Sequence, residues 1–208
     1  GYLPELVIKG NKTVPEYGGG LCQIGSTTFR AALASGLPVT ERRNHSYRVP
    51  YYERDGAGDY IGPGKDATIY GPAPDFKFKN DTGNHILIMT TINGDRLTFT
   101  FWGKLDGRKA EQTDALLFNI IEPPPKKTIE TTTLKPGEVK CTERPHPGGD
   151  ATFTYTVTYP NGEVKKRDFF SRYRPWGEVC LVGVDPNVPK ATTAPALPSA
   201  DAVGASGQ

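Results

Sequence analysis

Residues 17–37 read YGGGLCQIGSTTFRAALASGL, and this stretch decides the fold. Its three glycines let the backbone turn tightly, because they carry no Cβ to hinder positive φ angles. A helical pattern then starts between Cys22 and Ser26 and stops at Gly36, a residue typical of the position after a helix. The predicted inward stripe is Thr28, Phe29, Ala32 and Leu33. We therefore predict one helix with Cys22 at its N-terminus.

Cys22 lies where a helix start presents unpaired N–H groups and a partial positive charge. Such a position lowers a thiol pKa from about 8.5 towards 7 or below, and the thiolate is the reactive species. The backbone amides of Gly20 and Cys22 are the candidate donors to an oxyanion. The alternative interpretation is a small buried cysteine beside a glycine-rich turn.

Composition excludes several classes of protein. With 208 residues, 36% of them hydrophobic, the chain can form one domain of ordinary size and a smaller one. Its 25 Lys and Arg against 23 Asp and Glu are too balanced for an electrostatic nucleic-acid binder. Neither a signal peptide nor an apolar run of roughly 18 to 20 residues, the length of a membrane span, is present. The chain starts without Met and resembles the middle of a domain, so we expect an upstream export signal or anchor to be missing.

Three cysteines with uneven spacing indicate one bridge and one free thiol. A disulfide between Cys141 and Cys180, both in a β-rich segment, would leave Cys22 free, as in an exported protein. The alternative is three reduced thiols in the cytosol. A zinc site is not predicted, because the sequence has no CxxC motif or histidine cluster.

His45 and Asp66 are the candidate partners of Cys22. His45 follows the cysteine by 23 residues, enough for a helix to finish and the chain to return beside its start. An imidazole there could take the thiol proton and later protonate a leaving amine. Asp66, at the mouth of a short predicted strand, could orient that imidazole. The alternatives are an exposed loop histidine and an aspartate that bonds its own turn.

The surroundings of His45 are cationic and favour a thiolate and a substrate carboxylate. We assign substrate binding to Arg42, Asn44, Ser46 and Arg48.

The rest of the chain is predicted to be β-rich. Alternating patterns at residues 75–80, 85–92 and 96–103 predict a three-stranded antiparallel meander that packs on the helix. A Pro-rich linker at 111–127, a small all-β module at 128–184 and a disordered tail at 185–208 follow. The predicted fold class is α+β, with the cysteine-bearing helix on the meander.

Four ordered blocks resemble the VanW family: Gly18–Ile24 with Ser26–Thr28, Glu41–Ser46, Lys65–Gly71 and Asp75–Thr82. The resemblance implies an N-terminally truncated VanW-like domain at 1–110. Residues 128–184 resemble the small glycine-bearing β module often appended to envelope proteins of Gram-positive bacteria. This sequence departs from the family at Gly25, Phe29 and Arg43, where serine, tyrosine and histidine are usual.

Members that resemble this chain are implied to include cysteine L,D-transpeptidases, which make 3-3 cross-links in peptidoglycan. The resemblance thus implies acyl transfer on stem peptides through a Cys22 thioester, outside the cell and without a metal or organic cofactor. Hydrolysis by the same thiol and a non-catalytic module that binds the cell wall or its glycan are the alternatives.

Overall fold

The computed structural model describes residues 4–9, 12–17 and 19–186. Within these residues the chain forms one α-helix, α1 at Leu21–Ala34, and a short 3-10 helix at Pro50–Glu53. The strands are β1 Pro4–Lys9, β2 Lys12–Tyr17, β3 Val39–Glu41, β4 Lys77–Phe78, β5 Ile86–Asn93, β6 Arg96–Gly103, β7 Lys109–Gln112, β8 Leu116–Ile121, β9 Lys127–Thr131, β10 Val139–Glu143, β11 Gly148–Thr158, β12 Val164–Tyr173 and β13 Val179–Gly183.

The predicted α+β class, with a helix on a three-stranded meander, is wrong. The described residues are mostly β, with thirteen strands in five small sheets and one α-helix. β3 pairs with β4, and β5 pairs with β6, in two separate antiparallel sheets. In the turn between β4 and β5, Asn80 Nδ2 donates to the Asn84 carbonyl at 2.7 Å. β4 meets β6 through the stacked rings of Phe78 and Phe101, 5.6 Å apart.

The helix nearly follows its sequence pattern. It begins at Leu21, one residue before the predicted range, after Gly20 with a φ of 87°. It ends with the Gly36 N–H donating to Leu33 O at 3.1 Å, and Gly36 has the positive φ that favours glycine, 72°. The predicted stripe residues Phe29, Ala32 and Leu33 are fully buried. The fourth, Thr28, is half-buried and donates its hydroxyl to Ile24 O.

The core is shared between the two halves of the chain. α1 and its neighbours supply Phe29, Leu33, Val39 and Ala67, and β11 and β12 supply Phe153, Tyr155, Val157 and Phe169. The rings of Phe29 and Phe169 meet edge to face at 5.4 Å. Because each half buries its apolar face against the other, β11 and β12 are part of the packing that supports the helix.

β11 is the central strand of the largest sheet. β12 pairs along one edge of it, and β7 and β8 pair in succession along the other. β8 lies inside the segment predicted to be a linker. The division into domains stays a prediction, but this segment contributes a strand to the sheet that packs on α1.

A second sheet, in the order β10-β13-β9, lies beyond this core. Cys141 and Cys180 are opposite residues of β10 and β13, and they are joined by a disulfide. The predicted tail lies outside the described residues, apart from Asp185 and Pro186. Within the described part of the chain, no helix has the length and apolar character needed to cross a bilayer.

Candidate active site

Cys22 lies in the first turn of α1, half-buried, as the free cysteine of the structure. As a thiol it is 3.6 Å from the carbonyl oxygen of Ile69. The His45 side chain is close enough to lower the pKa of this thiol. The nucleophile predicted from the sequence therefore has its predicted base within reach.

Two features bring the start of α1 against the segment that carries Asp66. Gly25 has no Cβ, and an added one would lie 2.7 Å from Ile69 Cδ1. Ser26 exchanges two hydrogen bonds with Ala67, since its hydroxyl donates to Ala67 O at 3.2 Å and accepts from Ala67 N at 3.0 Å. Gly25 and Ser26 together fix the distance between the helix and this segment.

His45 and Asp66 form a buried pair behind the thiol. Asp66 Oδ2 is 2.6 Å from His45 Nδ1 and accepts the His45 backbone N–H at 2.7 Å. Their side chains are only 5% and 4% exposed, so water competes little for these bonds. With Nδ1 on the carboxylate, Nε2 is the ring nitrogen left for the Cys22 thiol. This is the order of nucleophile, base and orienter that thiol acyl transfer needs.

The imidazole of His45 links two acidic groups, because it favours the charged forms of both Cys22 and Asp66. Burial is the largest single influence on Cys22 and opposes its ionisation, but the His45 side chain and the Ile69 backbone together outweigh it, and the thiol pKa is below its ordinary value. Burial also opposes the imidazolium, yet the hydrogen bond to Asp66 and the influence of the neighbouring Cys22 raise the pKa of His45 to about 9. Despite burial, His45 and Arg42 lower the pKa of Asp66 to about 2. These shifts favour the imidazolium of His45 at neutral pH, and they make the Cys22 thiol easier to ionise than an ordinary thiol.

Tyr52 and Tyr173 also belong to the site, although sequence reasoning did not identify them. The Tyr52 ring stacks on the His45 imidazole with centroids 4.7 Å apart. Tyr173, at the end of β12, donates its hydroxyl to Asp66 Oδ1 at 2.6 Å. No local pattern could have found Tyr173, because it lies 107 residues from Asp66 in sequence. Both line a small cavity, together with Arg48, Val49, Glu53, Pro63, Gly64 and Asp66.

Arg42 is engaged within the protein. Its side chain is only 3% exposed and donates from Nε to Asp66 O at 2.6 Å and from Nη2 to Asp66 Oδ1 at 3.1 Å. Its other N–H groups point to Gly64 O, Ser171 Oγ and Phe170 O. All five donors are accounted for, so the arginine predicted to bind a substrate carboxylate holds the Asp66 segment in this structure.

The three other predicted substrate-binding residues lie near His45 and also contact the protein. Arg48 makes two bonds of 2.8 Å to the Glu53 carboxylate and lines the cavity. Asn44 donates to Arg172 O at 2.9 Å, and the Ser46 carbonyl accepts from Arg174 N at 2.7 Å. Arg48 and Ser46 remain partly accessible, at the cavity and at the surface respectively.

The predicted oxyanion donors lie beside the thiol. Gly20 caps α1 without a side-chain hydrogen bond, and its carbonyl accepts from Gln23 N at 2.9 Å. The amide of Cys22 belongs to the first turn, where backbone N–H groups have no partner within the helix. The role of these amides stays a prediction.

Two comparisons with known proteins match the half of the chain that contains Cys22, His45 and Asp66. Residues 1–102 match the family model described as "VanW like protein". The uncharacterized protein YoaR of Bacillus subtilis (strain 168) is 33% identical over 102 residues, which are 49% of this chain and 31% of YoaR. The chain thus matches about a third of the length of that relative.

A solved structure was also found for part of the chain. The IgA1 protease G5 domain aligns with 36% of this chain and 88% of its own, at 14% identity and a TM-score of 0.24. That score is too low to establish a shared fold.

Proposed function

Because residues 1–102 form a VanW-family domain, which is cell-wall-related, we propose that this chain is a cysteine acyltransferase acting on peptidoglycan stem peptides. The specific reaction is that of an L,D-transpeptidase that forms 3-3 cross-links. The observation that supports it best is the buried hydrogen bond between His45 and Asp66, next to a Cys22 thiol whose pKa the imidazole lowers.

In the first step, the Cys22 thiolate attacks the carbonyl carbon of the third stem residue, a diaminopimelate or its equivalent. A C–S bond forms, and the amide bond to the terminal D-Ala breaks. The imidazolium of His45 gives its proton to the leaving amine, so D-Ala leaves neutral at that nitrogen. Asp66 stabilises the imidazolium until that transfer, and the amides of Gly20 and Cys22 are suited to hold the oxyanion.

In the second step, the side-chain amine of another stem attacks the thioester. The neutral imidazole takes a proton from this amine as the new amide bond forms, and the thiolate leaves. The thiolate–imidazolium pair is thereby restored. If water replaces the amine, the same site is a peptidase.

The place of action proposed for this chemistry is outside the cell. Peptidoglycan is an extracellular substrate, VanW-family proteins are associated with the cell envelope, and the Cys141–Cys180 disulfide is the kind of bond that persists in an oxidising compartment.

The experiment is incubation of the full chain with a disaccharide tetrapeptide, followed by mass spectrometry of the products. Cross-linked dimers that have lost D-Ala are the expected result, with an acyl-enzyme on Cys22 in the intact-protein spectrum. Free tripeptide alone would assign hydrolysis, and binding to sacculi without any product would assign a wall-binding module. Full activity in Cys22→Ala would rule out the thioester.

A further inference from the structure

Side chains from outside the VanW-family domain enter the candidate active site. Tyr173 and Ser171 lie on β12, about seventy residues beyond the end of the match at 102. Both are buried, at 3% and 0% exposure. Tyr173 bonds Asp66, and Ser171 accepts from Arg42 at 2.8 Å. The site is thus built from both halves of the chain.

The two oxygens of Asp66 have different partners. Oδ2 faces His45, through the ring and the backbone N–H. Oδ1 faces away from His45 and accepts from Tyr173 at 2.6 Å and Arg42 at 3.1 Å. The carboxylate charge is therefore divided between the imidazole and a second set of donors.

The hydroxyl of Tyr173 is well fixed in its donating role. It accepts the Gly64 N–H at 2.9 Å, which leaves its own proton for Asp66. Burial and the adjacent Asp66 carboxylate raise the pKa of Tyr173, so the hydroxyl keeps that proton across the range in which the site would work.

We infer that Tyr173 is a positioning residue of the proposed acyltransferase: its hydroxyl holds Asp66 Oδ1 and limits the charge that the carboxylate offers to His45. The inference rests on the proposed thiol chemistry. It assigns a part of the acid–base apparatus to β12, outside the family domain. Loss of this hydroxyl would leave more negative charge at Oδ2 and hold the imidazolium proton more tightly.

Other charged or titratable groups near this pair would stay in place when Tyr173 is changed. They are Arg42 on Asp66, Cys22 and Tyr52 on His45, Arg30 near Asp66, and the Arg48–Glu53 pair across the cavity.

The test is an NMR titration of the His45 ring in the full chain carrying Tyr173→Phe. The His45 signals are identified by their absence from His45→Gln. We expect the titration midpoint to rise by about 0.5 to 1 pH unit, a fraction of what a hydrogen bond to a charged group contributes. The matched control is Tyr155→Phe, a buried tyrosine of the neighbouring strand whose hydroxyl donates to Leu37 O at 3.3 Å. It should leave the midpoint unchanged.

An unchanged or lowered midpoint in folded Tyr173→Phe would overturn the inference. If that variant does not fold, 3-fluorotyrosine at position 173 keeps the ring and makes a stronger donor, and the midpoint must then fall. The titration needs no peptidoglycan, so the outcomes are separable. A shifted midpoint without cross-linking by the wild type refutes only the transpeptidase, and cross-linking without a shift refutes only the role of Tyr173.

Discussion

Replacing Asp66 by Asn tests the electrostatics of the site most directly. The change removes the charge that holds the His45 proton while keeping the size of the side chain. Arg42 remains nearby as an uncompensated buried cation, which lowers the proton affinity of the imidazole further. The imidazolium and the Cys22 thiolate it stabilises should both be lost at neutral pH.

The size of the effect follows from the pKa of His45. We expect that pKa to fall from about 9 to its ordinary 6.5 or below, which corresponds to about 3.4 kcal/mol or more. At pH 7.5 the protonated fraction of His45 would drop from about 97% to about 9% or less. The pKa of Cys22 should then rise, because the imidazolium that lowers it is lost while the burial that opposes ionisation remains.

The assay is alkylation of Cys22 by iodoacetamide between pH 5 and 10, followed by intact-protein mass. The other two cysteines are protected as a disulfide, so one adduct reports one thiol. Unpairing Arg42 should also destabilise the fold by about 3 to 5 kcal/mol, and the fold must be checked by circular dichroism.

The matched control is Glu53→Gln. Glu53 is 7% exposed, pairs with Arg48 and lines the same cavity, yet it has no described bond to His45. Its replacement should leave the alkylation profile unchanged. A folded Asp66→Asn protein that alkylates with the wild-type pH profile would refute the reasoning.

Three further predictions concern stability. The pKa of Asp66 is lowered from 3.8 to about 2, so its stabilisation is present above pH 3.8 and is lost as the pH falls through 2. The difference in unfolding free energy between wild type and Asp66→Asn should therefore shrink by about 2 kcal/mol from pH 5 to pH 2 in urea titrations, and a constant difference would contradict this. In Gly183→Ala the new Cβ would overlap the Lys135 carbonyl oxygen, so we expect a loss of about 1 to 3 kcal/mol or more by thermal unfolding. Gly56→Ala, with open space around it, is the control and should lose much less. Replacing Cys141 and Cys180 by Ser removes a disulfide that spans 39 residues. The loss of this restraint on the unfolded chain should lower the free energy of unfolding by about 4 kcal/mol. Cys22 alkylation at 25 °C should stay as in wild type. A Cys22 profile that changed with the disulfide would show that the second sheet supports the site.

Short-range patterns predicted the helix and its cysteine because both depend on neighbouring residues. The glycines before Cys22, the apolar stripe and Gly36 act within a few residues of one another. His45 and Asp66 could also be predicted. His45 follows the helix at a separation that lets the chain return to Cys22, Asp66 lies at the mouth of a predicted strand, and a thiol, an imidazole and a carboxylate together form a known type of catalytic set. The structure brings these predicted residues together.

The strand pairing and the outer part of the site could not be predicted in this way. The alternating pattern at residues 75–80 predicts a strand but contains no information about which strand pairs with it. In the structure the partner is β3. The basic neighbours of Arg42 predict a substrate ligand, and this role stays a prediction. In the structure Arg42 contacts Ser171 and Gly64 as well as Asp66. Burial of that kind depends on contacts between residues far apart in sequence.

The shared core has a practical meaning for anyone who trims this protein. A fragment that stops at residue 102, where the family match ends, would lack Phe153 and Phe169. The apolar side chains of Phe29 and Leu33, which pack in the same core, would then be exposed to water. Such a fragment should aggregate on expression. Shorter versions of this chain need to retain β12, because it supplies Phe169 to the core and Tyr173 to Asp66.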